Sequence, residues 1–140
     1  MEVDSKKLQE LYIAYFGRPA DPPGIQYWLL QASKGIKLRE IACHLSIQDE
    51  YKKSIMYGKS LEFQINQLYL NLFSRKVDFA VLSYWLSSIN SGSSDISDLA
   101  CDLIGSLSNS SQSNNEQQVI DKKALENKVE SAELFTEELE

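Results

Sequence analysis

A shift of 57 residues brings the chain into register with itself, and no other feature limits its fold as tightly. At that offset Leu11 meets Leu68, Tyr12 meets Tyr69, Phe16 meets Phe73, Arg18 meets Arg75 and Asp21 meets Asp78. Tyr27 then meets Tyr84, Trp28 meets Trp85, Leu29 meets Leu86 and Gly35 meets Gly92. One inserted residue moves the offset to 58, where Leu38 meets Ile96, Ile41 meets Leu99, Ala42 meets Ala100, Cys43 meets Cys101 and Leu45 meets Leu103. Both tryptophans, both cysteines and an Arg-x-x-Asp pair recur in order, so chance is a poor explanation. The chain reads as two copies of one unit of about fifty residues, copy one over 5–58 and copy two over 60–108.

The unit is helical. Asp4 or Ser5 is placed to cap a helix whose Leu8, Leu11, Tyr12, Tyr15 and Phe16 form one apolar face, and Gly17 supplies a left-handed stop. Asp21 is the next N-cap and Pro22 stands at the first helical position, where a missing N–H costs nothing. Ile25, Trp28, Leu29 and Ala32 make the second face, ended by Gly35. A third helix carries Leu38, Ile41, Ala42 and Leu45. Ser46 and Asp49 resemble a capping box for a fourth, running to Gly58 with Tyr51 and Ile55 inward. Copy two repeats the order with Leu61, Ile65, Leu68, Tyr69, Leu72 and Phe73, then Asp78 as cap before Leu82, Trp85, Leu86 and Ile89, and Gly92 as stop. Asp95 caps a helix bearing Ile96, Leu99, Ala100, Leu103, Ile104 and Leu107. No alternation long enough for a strand occurs. The expected fold is an all-α bundle of about seven helices from two pseudo-equivalent repeats, plus an acidic C-terminal helix.

Charge separates the tail from the rest. Residues 1–108 carry 12 acidic and 11 basic side chains, whereas 109–140 carry 8 acidic and 3 basic. Of the two Trp, seven Tyr and five Phe, only Phe135 lies in the tail, so the core belongs to 1–108. Residues 109–118 contain no apolar side chain and read as a polar linker. In 119–140 a thin stripe of Leu125, Val129, Ala132 and Leu139 runs among glutamates. A helix so sparsely apolar is marginal alone, leaving it to dock on the core, to pair with another chain as a homo-oligomer, or to fray. No basic stripe is present to neutralise a phosphate backbone, which argues against nucleic acid as a partner. No apolar run approaches the length of a transmembrane segment, and the residues after Met1 lack the apolar region of a cleaved signal.

The Arg-x-x-Asp turns gather charge, proline and aromatics. In one reading Asp21 and Asp78 cap helices while Arg18 and Arg75 satisfy helix-end carbonyls or pair with those aspartates. In the other, Arg18, Asp21 and Tyr27 form a ligand-binding corner. Tyr12, Phe16, Trp28, Tyr69, Phe73, Trp85 and the second-copy Arg75, Asp78 and Tyr84 are the structural members of the same motif. Trp28 and Trp85 fall on apolar stripes, as core residues do, whereas Tyr27 and Tyr84 stand one position off them and are the better candidates for exposed contacts. Cys43 and Cys101 read as core thiols, with a disulfide open if the two third helices meet there. His44 has Asp102 as its counterpart and reads as a surface residue. With one histidine, no Cys-x-x-Cys, no phosphate-binding glycine loop and no Ca²⁺ loop, neither a metal nor any other cofactor is expected, and no catalytic set stands out.

The pattern Leu11-Tyr12, Phe16-Gly17-Arg18, Asp21, Gly24, Tyr27-Trp28, with Gly35 and the Glu50-Tyr51 pair beyond, resembles the bacterial family called domain of unknown function 4214, as two tandem copies over about residues 8–108. That family is similar to helical regions of phycobilisome linkers and of bacterial surface-layer proteins. The resemblance implies a non-catalytic binding or assembly module of a surface or secreted protein, without a cleaved N-terminal signal, whose partner is a cell-envelope polysaccharide or another protein. A protein–protein scaffold of the phycobilisome-linker type is the alternative function, and the cytoplasm the alternative location. Copy two departs from the pattern at Ser74, Phe79 and Val81, where copy one has Gly17, Pro22 and Gly24, so copy one is the expected ligand corner.

Overall fold

The structure, a computed structural model, describes residues 3–46, 48, 58–93, 95–108 and 116–139. Among these it is all-helical, with α1 (Ser5–Phe16), α2 (Pro22–Ser33), α3 (Leu38–Ser46), α4 (Leu61–Phe73), α5 (Phe79–Asn90), α6 (Ile96–Ser108) and α7 (Glu116–Leu139). The acidic C-terminal helix is the seventh of these. The further helix expected over 46–58, with Tyr51 and Ile55, lies outside the described residues.

The helix ends follow from their residues. Asp4 accepts from the Lys7 N–H, and Asp21 from the Gly24 N–H at 3.3 Å. Ser60, not foreseen as a cap, accepts from Phe63 N–H at 3.2 Å. Asp95 and Asp98 exchange side-chain hydrogen bonds with each other's backbone N–H, a reciprocal cap for α6. Asp78 stands at the N-cap of α5 but its carboxylate makes no cap bond. Gly17 ends α1 in the left-handed region at φ 65°, and Ser74 ends α4 in the same conformation at φ 60°, although it carries a Cβ.

Two of the helix pairs that the offset makes equivalent pack on each other. α3 lies along α6, α1 lies along α4, and α7 crosses both α1 and α4. The α1/α4 crossing is close. Asn71 donates from Nδ2 to the Ala14 carbonyl at 2.9 Å, and a Cβ on Gly17 would meet the Asn71 amide at 3.4 Å. α3 and α6 are clasped outside by Arg39, whose guanidinium donates to Asp98 and to Asp102 at 2.8 Å.

The core takes Leu38, Ile41, Ala42 and Leu45 from α3 and Ile65, Leu68, Tyr69, Leu72 and Phe73 from α4, as the spacing predicts. α1 departs from it. Besides Leu8, Leu11, Tyr12 and Tyr15 it buries Gln9, Ile13 and Ala14, because α7 covers the side that the apolar face leaves open. Phe16 is only half-buried. On α2 only Trp28 is buried, with Ile25 and Ala32 half-buried and Leu29 exposed, since this helix touches the body along one edge. On α5 Leu82 and Trp85 are buried while Leu86 and Ile89 are half-buried.

The tail is part of the body. α7 starts at Glu116, three residues before the expected boundary, and lays Asp121, Leu125, Val129, Ala132 and Thr136 against the other helices. Leu139 is exposed, and Thr136 takes the place it was expected to fill. Three polar clasps fix the helix. Arg75 forks onto Asp121. Lys128 donates to the Leu70 and Asn71 carbonyls at 3.1 and 2.7 Å at the C-terminal end of α4, where the Leu70 carbonyl also accepts from the Ser74 N–H. Gln9, Thr136 and Ala20 close a buried ring: Ala20 N–H donates to Gln9 Oε1 at 2.9 Å, Gln9 Nε2 donates to Thr136 Oγ1 at 2.8 Å, and that hydroxyl donates to the Ala20 carbonyl at 2.5 Å.

Candidate functional site

Both Arg-x-x-Asp turns are built alike at the guanidinium. Arg18 lies over the rings of Tyr12 and Phe16, 5.4 and 5.5 Å from their centroids, and donates to the Pro19 carbonyl at 2.7 Å. Arg75 lies over Tyr69 at 5.4 Å and donates to the Lys76 carbonyl at 3.1 Å. The rings beneath pair edge to face in both copies, Tyr12 with Phe16 and Tyr69 with Phe73, each at 5.5 Å. Each turn is also braced by an amide 57 residues from its counterpart. Gln9 accepts from the Ala20 N–H, and Asn66 accepts from the Val77 N–H at 3.1 Å. These amides align in the sequence, and that alignment was the available signal for them.

The corners diverge beyond the arginine. In copy one Arg18 stands 3.8 Å from Asp21, and the Tyr12 hydroxyl presses on Gly24, where a Cβ would come within 2.7 Å of it. A larger residue at 24 would displace that hydroxyl. In copy two that position is Val81, and the Tyr69 hydroxyl is hydrogen-bonded by Trp85. Burial pushes the Tyr69 phenol upward, with Trp85 and the neighbouring Arg75 charge acting against it.

An open cavity of ≈ 340 Å³ results at the second corner. Tyr69, Phe73, Tyr84 and Trp85 form its aromatic walls, and Arg75, Asp78, Gln117 and Asp121 bring the polar groups. Arg75 donates from Nε and Nη2 to the two Asp121 oxygens at 2.9 and 2.7 Å, and Gln117 adds a donor to Asp121 at 2.9 Å. This bidentate carboxylate raises the arginine above its ordinary value. Tyr84, 64% exposed, stands at the rim against Trp85. Every second-copy residue of the sequence motif therefore meets at one cavity, joined by α7 residues that the motif does not include.

Copy one does not converge in this way. Arg18 walls a different cavity of ≈ 580 Å³ with Ile13, Leu70, Lys128 and Phe135, and neither Asp21 nor Tyr27 belongs to that wall. Tyr27 is 53% exposed on α2, its ring edge-on to the buried Trp28. The residues expected to form the ligand corner of copy one, Arg18, Asp21 and Tyr27, therefore do not share the cavity that Arg18 walls, whereas their second-copy counterparts Arg75, Asp78 and Tyr84 share one.

His44 is exposed, as expected, and its ring leans on Trp28 at 5.8 Å. The cysteines differ from their shared expectation. Cys101 is a buried thiol pushed up to about 11 by burial, whereas Cys43 is exposed, and both are free. Among the described residues α6 packs against α1, α3, α4 and α7, whereas α3 packs mainly against α6 and α1, so equivalent positions end in different surroundings. Among the described residues no group of three or more acidic, His or Cys side chains is placed to hold a metal ion, and no helix is long and apolar enough to cross a membrane. No family model matches the chain, and neither a curated protein nor a solved structure matches it.

Proposed function

We propose that the chain is a non-catalytic binding or assembly module of a bacterial surface or secreted protein, and that its second Arg-x-x-Asp corner contacts a cell-envelope glycan. One observation carries this reading: four aromatic side chains and a set of amide and carboxylate groups meet at one open cavity whose guanidinium is already matched by a carboxylate. Aromatic walls suit the C–H faces of a sugar ring, and the amides suit its hydroxyls. An anionic ligand is disfavoured, since it would have to displace Asp121 from Arg75. Titration of ¹⁵N-labelled protein with purified, delipidated envelope polysaccharides tests the reading. The Trp85 indole and Gln117 amide resonances should move in a saturable way, and stationary resonances with every polysaccharide tried would refute it.

A protein scaffold of the phycobilisome-linker type is the second reading, favoured by Phe79, which is 83% exposed, and by exposed Tyr27 and Leu30 on α2. Its mark is sedimentation that rises with concentration and is suppressed by Phe79→Ser while the glycan titration stays silent.

A further inference from the structure

We propose that the seam between α1 and α4 is a receptor for an acidic amphipathic helix, filled by α7 within one chain and open to exchange with α7 of a second copy. The polar contacts that tie α7 to the rest of the chain are remote in sequence. Arg75 to Asp121 spans 46 residues, Lys128 to Leu70 spans 58, and Gln9 to Thr136 spans 127. Its chain predecessor α6 only flanks it, so the seam recognises α7 as a ligand and not as the continuation of α6. In the sequence, residues 109–115 between the two helices include no apolar side chain.

Recognition and affinity come from different groups. Asp121, Lys128 and Thr136 each meet a partner of fixed geometry, which sets register and direction along a helix of 24 residues. The apolar contribution is thin, namely Leu125, Val129 and Ala132. One flank is incompletely packed, where Lys6, Lys7 and Glu10 of α1 face Lys122, Glu126, Glu130 and Glu133 of α7 across a cavity of ≈ 450 Å³. Specific polar clasps with little buried apolar surface describe a helix that finds one site and also leaves it. The released helix has the same complementarity for the seam of another molecule as for its own, which is the condition for exchange of an element between copies.

A fluorescent peptide of residues 116–139, added to the full chain, tests the seam. Saturable anisotropy is expected, with Asp121→Ala in the peptide weakening it about tenfold, since one bidentate ion pair is lost. Full-length Asp121→Ala, whose own helix competes less well, should bind the wild-type peptide more tightly than the wild-type chain does. Absence of binding up to about 1 mM peptide, or an Asp121→Ala peptide that binds as well as wild type, overturns the proposal. Native mass spectrometry of the full chain tests the occupant. A dimer fraction that grows with concentration and with prior brief unfolding supports exchange between copies, whereas a chain monomeric throughout refutes a second copy as the occupant.

Discussion

Replacing Thr136 by Val tests the buried ring that ties the two ends of the chain together. The side chain is 4% exposed, and Gln9 and Ala20 are at least as buried. Valine keeps the shape of threonine, so no cavity opens. What is lost is the acceptor for Gln9 Nε2 and the donor to the Ala20 carbonyl. Each stranded group costs about 1–3 kcal/mol, and the added methyl returns about 1 kcal/mol through apolar contact. The net loss is therefore about 1–5 kcal/mol, whose middle corresponds to a fall in Tm on the order of 10 °C for a chain of this length. Urea unfolding followed by both far-UV circular dichroism and tryptophan fluorescence measures it, coincident transitions licensing the two-state reading. Thr136→Ser keeps the hydroxyl and should lose less than about half as much. A Val variant within about 0.5 kcal/mol of wild type, or a Ser variant as damaged as Val, would show that the ring does not hold α7.

Arg75→Ala strands the buried Asp121 carboxylate and should cost about 2–4 kcal/mol, whereas Arg39→Ala, an exposed arginine on two half-buried aspartates, should cost under about 1 kcal/mol despite its short contacts. Equal losses in denaturant titrations would contradict this ranking. Glu10 sets a pH dependence. Burial raises its carboxyl from 4.5 to about 6, with Lys7 at 3.6 Å only partly offsetting the cost. The folded chain then holds this proton more tightly than the unfolded chain, so the stabilisation is complete below pH 4.5 and is lost as pH rises through about 6. The difference amounts to about 2 kcal/mol at most. Wild type minus Glu10→Gln stability, measured across that window, should fall with rising pH, and a flat difference would reject the assignment.

The periodicities in the sequence determined seven of the helices it predicted and the inward faces of α3 and α4, because an apolar stripe at helical spacing has only one way to leave water. The caps at Asp4, Asp21 and Asp95 and the left-handed stop at Gly17 were equally legible, since they depend on residues a few positions apart, whereas the Ser60 cap and the Ser74 stop were not foreseen and Asp78 makes no cap bond. Three things were decided by the tertiary structure alone. The stripe of α7 was too thin to name its destination, and its docking rests on Asp121, Lys128 and Thr136, which on the sequence are ordinary polar residues of an acidic helix. The burial of Gln9 was invisible for the same reason, as the groups it satisfies lie 11 and 127 residues away. The contrast between the two corners is also tertiary. Gly24 against Val81 appears in the alignment as a loss of pattern, yet in space Gly24 lies against the Tyr12 hydroxyl while Val81 lines the second-corner cavity. Local spacing dictates which surface a helix must bury, but a polar side chain acquires its role only when folding brings its partner within hydrogen-bonding distance.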